Sequence, residues 1–179
     1  MVWYRVVGGS MYQVGDKIIY GSNGVCVIEE IKMIEVPRTD ELKPYYIIKP
    51  VFQGCRISVP VDTGVYMRAI ITVEEANALL DVVPRVEPKP YYNTALRQLQ
   101  DYYEKKLAAH DCGILIETLL SIYRKREEVL AQKRKFGAID ERYMKRIEDL
   151  LFGELSVALG VEKIDVRRMM ADKLNEKAE

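Results

Sequence analysis

The chain has 179 residues, about half of them apolar, and its 27 basic and 27 acidic side chains cancel. That length holds one large domain or two small ones. No apolar run nears the ~20 residues a membrane span needs, and a chain with no net charge must meet any nucleic acid through a local patch. One histidine, His110, and three scattered cysteines, Cys26, Cys55 and Cys112, give neither metal-ligand spacing nor a disulfide framework. We read a folded cytoplasmic protein with reduced, mostly buried thiols and no cofactor.

Residues 1–10 fit nothing downstream. Arg5, Gly8 and Gly9 interrupt the apolar run a secretory signal would need. Two readings stand: a leader translated from a false start before Met11, which we favour, or a strand capped by Trp3 and Tyr4. Strand signals then follow at 17–20, 25–34, 45–51 and 56–61, with a short fifth at 66–70. Gly21 to Gly24 turns the first hairpin, Pro37 to Asp40 separates the second strand from the third, and Gln53-Gly54 turns into the fourth. Partial alternation of apolar and polar residues suits a small, twisted barrel of the Tudor or KOW kind, buried on one face.

Thr72 and Glu75 have capping-box spacing, which starts a helix over 73–82 with Ala76, Leu79 and Leu80 expected to face the barrel. Pro84, Pro88 and Pro90 deny a regular element across that stretch and set the expected domain boundary. Four helices follow, at 92–108, 112–135, 140–159 and 163–177. Asp111 and Asp140 read as N-caps, and Gly137 and Gly160 as stops. Leu115, Leu119, Ile122, Val129 and Leu130, with Ile147, Leu150, Leu151, Leu155 and Val157, carry the three- and four-residue spacings of a packed bundle.

Nothing in the sequence composes a catalytic constellation, so a non-enzyme is expected. Basic side chains are more telling. Arg124, Lys125, Lys133, Arg134, Arg142, Lys145 and Arg146 collect around the turn between the second and third bundle helices, a corner suited to several phosphates of a duplex. Leu96 and Arg97, beside Tyr91 and Tyr92, form a further candidate contact at the start of the first bundle helix. The bland alternatives are a solvated helix surface for the cations and core packing for Tyr102 and Tyr103.

Val14-Gly15-Asp16-Lys17-Ile18-Ile19-Tyr20 with Gly24-Val25, then Ile57-Ser58-Val59-Pro60-Val61 and Gly153-Glu154-Leu155, resembles the CarD family of bacterial transcription regulators. The first module is also similar to the polymerase-binding domain of the transcription-repair coupling factor. The resemblance implies a barrel that holds the RNA polymerase β subunit by an edge strand, here Met33, Ile34 and Val36 with neighbours Arg56 and Ser58. It also implies a helical domain on promoter DNA at the upstream edge of the melted bubble. Relatives place a wedge tryptophan near the position of Ala95-Leu96; this chain has none there, and Gln98, Leu99 and Asp101 replace the basic residues flanking it. DNA contact is therefore expected to be weak and largely independent of sequence.

The expected architecture is α+β: a Tudor-like barrel with one helix (11–83), a Pro-rich linker (84–91) and an all-α bundle (92–179). The expected function is a transcription regulator, monomeric when free, that binds RNA polymerase β and modulates open-complex stability. An RNA- or ribosome-associated factor, or a protein-only adaptor, would use the same parts.

Overall fold

The computed structural model describes residues 12–36 and 41–175. Expectations for residues 1–10, for the break at Pro37 to Asp40 and for the last two residues of the final helix fall outside these. The chain divides into two compact units, Met1–Ile70 and Ile71–Glu179.

The first unit is an antiparallel five-stranded sheet in the order β4-β3-β2-β1-β5, with β1 Lys17–Tyr20, β2 Val25–Glu35, β3 Leu42–Pro50, β4 Ile57–Pro60 and β5 Met67–Ala69. β1 turns into β2 through a 3-10 turn at Gly21–Asn23, with Gly21 and Gly24 both at positive φ. Ile18, Cys26, Ile28, Tyr46, Ile48 and Val59 form its core. Ile28 lies opposite Ile48 and Glu30 opposite Ile47, so Glu29 is the extra residue of a β-bulge. The bulge explains the imperfect alternation. It lets Ile28 and Ile31 share the core-side face while Glu30 turns away.

The second unit holds five helices: α1 Val73–Val82, α2 Leu96–Leu107, α3 Cys112–Ala131, α4 Ala138–Leu159 and α5 Lys163–Asn175. The capping box is present: Glu75 N–H donates to Thr72 Oγ1 at 3.2 Å, and Thr72 N–H donates to Glu75 Oε2 at 2.8 Å. Asp111 caps α3 by accepting from Ile114 N–H, and Gly160 at φ +69 ends α4. Its core gathers Leu99, Tyr103, Leu119, Ile122, Ile147, Leu151, Leu155, Val166 and Met170.

Several expectations are corrected. Ala76 and Leu80 of α1, expected to face the barrel, lie in the core of the helical unit, and the two compact units meet at Ile70/Ile71. Residues 84–91 form a strap packed on the bundle. A 3-10 turn spans Val83–Arg85, Val83 is fully buried, Lys89 N–H donates to Ser121 Oγ at 2.9 Å, and Tyr91 stacks on Tyr102. Proline bars a helix there without barring packing. Asp140 is not the cap of α4; Gly137 is. The Asp140 carboxylate folds back so far that a Cβ on Gly137 would sit 2.8 Å from Oδ2. α3 ends at Ala131, four residues short of expectation, and Leu130 is half-exposed instead of buried. No described helix is long and apolar enough to cross a membrane.

Candidate functional site

The sheet presents a band of side chains whose layout follows from register. Directly opposed residues share a face. Ile34 opposes Lys43, Lys32 opposes Tyr45, and Glu30 opposes Ile47. On the other side of β3, Pro60 opposes Tyr45 and Ser58 opposes Ile47. Ile34 and Ser58 therefore lie on one solvent-side face, roughly 13 Å apart along the strands. Arg56, just before β4, donates from Nε to Glu29 Oε2, and Lys49 Nζ stands 3.9 Å from Glu29 Oε1. Val36 continues the strand, its N–H donating to Glu41 O at 2.8 Å.

Met33 turns to the opposite face with Ile31. It opposes Pro44 and is 38% exposed, beyond the end of the core. The expected contact residues thus form two apolar strips on a projecting ribbon, with an ionic cluster at the base of one.

The ribbon also offers backbone. β1 pairs only with Val25, Cys26 and Val27 of β2, and Ile28 is closed by Gly15 and Asp16. From Glu29 to Glu35, β3 is the only strand beside β2 among the described residues. β2 is interior at its start and an edge at its end, the form that accepts an added strand. Sequence reasoning missed Glu29, Tyr45, Ile47 and Lys49. Alternation along β3 was the available signal, since Lys43, Tyr45, Ile47 and Lys49 are all odd-numbered.

In the helical unit the expected cations separate into two groups. Lys125 is not a surface residue: its side chain is 7% exposed, and Nζ donates to Asp140 Oδ1 at 2.7 Å. Tyr103 O–H donates to the same oxygen at 2.6 Å, and the Tyr92 ring lies 5.2 Å from the ammonium. Burial, then the Asp140 carboxylate, push the Tyr103 hydroxyl far above its ordinary range. Lys125 is withdrawn from the phosphate-binding set because helix phase turns it inward, onto α4.

Arg124 is held by Glu127 and Glu128, Lys145 by Glu141, and Arg146 by Glu104. The Tyr92 hydroxyl donates to Glu128, which lowers that carboxyl and raises the phenol. Arg142 stacks over the Tyr143 ring at 4.9 Å. Lys133 and Arg134 are exposed on the connection from α3 to α4, as is Lys135, without a carboxylate partner among the described residues. Lys133 sits at φ +55, a left-handed conformation more usual for Gly. Leu96 opens α2, 65% exposed, with Arg97 also exposed. No hydrogen bond or ion pair among the described residues joins either of them to the Lys133–Lys135 stretch, and α2 starts without a side-chain cap.

Glu154, expected only as part of a motif, proves structural. Buried in α4, it accepts Ile71 N–H at 3.0 Å and the Cys112 thiol at 3.2 Å. No group of three or more His, Cys, Asp or Glu able to hold a metal occurs among the described residues.

The described residues thus form a small antiparallel module with an open strand edge, followed along the chain by a helical bundle. Residues 12–71 match the family model of the CarD-like/TRCF RID domain, so the chain carries a domain of that family. The match takes in all five strands and stops at the first residue of the helical unit. A comparison with curated proteins finds no match.

Proposed function

We propose that this protein is a non-catalytic transcription regulator that docks on the β subunit of RNA polymerase through its sheet and influences promoter opening through its helices. One observation carries the reading: residues 12–71 match a domain family that interacts with RNA polymerase β. The open edge of β2 from Glu29 to Glu35 supplies the physical means, because an added strand gains main-chain hydrogen bonds while side chains on the two faces choose the partner.

The helical unit contributes only by binding one promoter state better than another. Its phosphate contacts come from Lys133 and Arg134, helped by Lys135 and Arg142. Arg124, Lys145 and Arg146 are already neutralised by carboxylates. Few contacts mean weak, salt-sensitive binding with little sequence preference. It matters once docking raises the effective concentration of the bundle beside the promoter.

The test is binding of the full chain to purified β subunit. Arg56→Glu and Ile34→Asp alter exposed or half-exposed positions, so the sheet should stay folded. Each is expected to weaken binding at least tenfold. Unchanged affinity in both variants, or co-purification with ribosomal proteins in place of polymerase, would reject the reading.

A further inference from the structure

Hydrogen-bond phase decides which groups the open edge of β2 offers. Val36 N–H donates to Glu41 O at 2.8 Å, and antiparallel pairs alternate between bonded and non-bonded. Glu30, Lys32 and Ile34 therefore turn their main-chain groups toward β3, while Ile31, Met33 and Glu35 turn theirs to the open side. Pro44, opposite Met33, fits that phase. It has no N–H to give, and its carbonyl accepts Val61 N–H at 3.0 Å from the β4 side. A strand added to the edge would bond to Ile31, Met33 and Glu35. Its side chains would come closest to those of Glu30, Lys32 and Ile34, in the non-bonded pairs.

Glu30 and Lys32 are exposed on one face of this edge, about 7 Å apart along the strand. Their neighbours on β3 are Ile47 and Tyr45, and the nearby cations Lys49 and Arg56 both lie against Glu29. No ion pair among the described residues engages either charge. The pair also disfavours a second copy of this chain. The antiparallel register that uses all of Glu29 to Glu35 sets Lys32 against Lys32 and Glu29 against Glu35, and like charges directly opposed destabilise. A register shifted to set Glu30 against Lys32 would lay Ile34 of one copy on Ile28 of the other, where Gly15 and Asp16 already close the edge.

We propose that Glu30 and Lys32 select the strand that β2 accepts: an antiparallel strand with an acidic residue opposite Lys32 and, two positions later, a basic residue opposite Glu30. Ile34, Met33 and Ile31 call for apolar residues at the remaining places. Resting on the docking of β2 proposed above, this gives the partner strand a pattern in its own direction, apolar-apolar-acidic-apolar-basic. Every pairing in the sheet is antiparallel, and that direction is the more stable per residue.

The probe is a short fluorescein-labelled peptide with Val-Val-Glu-Val-Lys at its centre. A control exchanges the glutamate and the lysine, so composition and net charge stay the same. Anisotropy titrations with the full chain should show the first peptide binding about tenfold more tightly, because two cross-strand pairs turn from attraction to repulsion in the control. Exchanging the charges in the protein, Glu30→Lys with Lys32→Glu, should reverse the preference at an unchanged thermal midpoint, since both side chains are exposed. N-methyl groups on the peptide residues opposite Ile31 and Met33 should abolish binding by removing main-chain donors. Equal affinity for the two peptides, binding of neither, a native preference for the control, a preference that the exchange leaves unchanged, or full binding of the N-methylated peptide would each overturn the proposal. Purified β subunit separates this from docking itself. If it binds the native chain and the exchanged variant alike, the charge selection is rejected and docking stands. If it binds neither, docking on β is rejected, and the peptide preference alone decides the strand pattern.

Discussion

Replacing Asp140 by alanine should be among the most damaging single changes in the helical unit. The carboxylate is 4% exposed as a residue and accepts from both Lys125 at 2.7 Å and Tyr103 at 2.6 Å. Removing one member of a buried pair leaves an uncompensated charge, at about 3–5 kcal/mol. The stranded tyrosine hydroxyl adds about 1–2 kcal/mol, and local relaxation with entry of water returns part of the total. A net loss of about 4 kcal/mol follows, roughly 15 °C in thermal midpoint for a unit of this size. Lys125→Met should cost less, because methionine fills the aliphatic space and Asp140 keeps the Tyr103 bond. Urea unfolding of both variants and of Lys125→Met/Asp140→Ala would measure the coupling, with the double variant more stable than Asp140→Ala. A cost below about 1 kcal/mol for Asp140→Ala would refute the argument. The pair would then be solvated, and Lys125 would return to the phosphate-binding set.

Lys133→Gly should raise stability by about 1 kcal/mol, since its φ of +55 suits glycine; the same change should flatten the salt dependence of DNA binding by about one phosphate contact. Burial pushes the Cys26 thiol from 9.0 up to about 11, so the folded state keeps its proton where the unfolded chain has lost it. The stability this gives is full below pH 9 and lost by about pH 11. The advantage of the native protein over Cys26→Ala should shrink across that window by about 2–3 kcal/mol, read as urea midpoints. Lys125→Met should leave the salt slope of DNA binding unchanged, whereas alanine at Lys133, Arg134 and Lys135 together should remove most of it.

Local signals in the sequence were accurate where chemistry acts within a few residues. Thr72 and Glu75, Asp111 and Gly160 each do what their spacing implies, because caps and stops depend on backbone groups one turn away. Burial across elements was less legible. Ala76, Leu79 and Leu80 make an apolar stripe that fits a sheet or a bundle equally well, and only the fold assigns it to the bundle. Lys125 lies between two arginines, yet helix phase buries it while Arg124 and Arg126 stay out. The bulge at Glu29 shifts alternation by one, so reading every second residue from Ile28 would misplace Glu30 and Ile31. Met33 and Ile34, adjacent and both apolar, lie on opposite faces for the ordinary reason that strands alternate.

Glu154 has a mechanical consequence. It grips the N–H of Ile71, the first residue of the helical unit, while the N–H of Ile70 donates to Lys17 O in the sheet unit at 3.2 Å. Each bond closes within its own unit, so Glu154 ties the residue that opens the helical unit to a helix 83 positions further along the chain. It acts as a staple: without it the lead into α1 would lose its seat on α4 and strand a part-buried N–H, at about 1–3 kcal/mol.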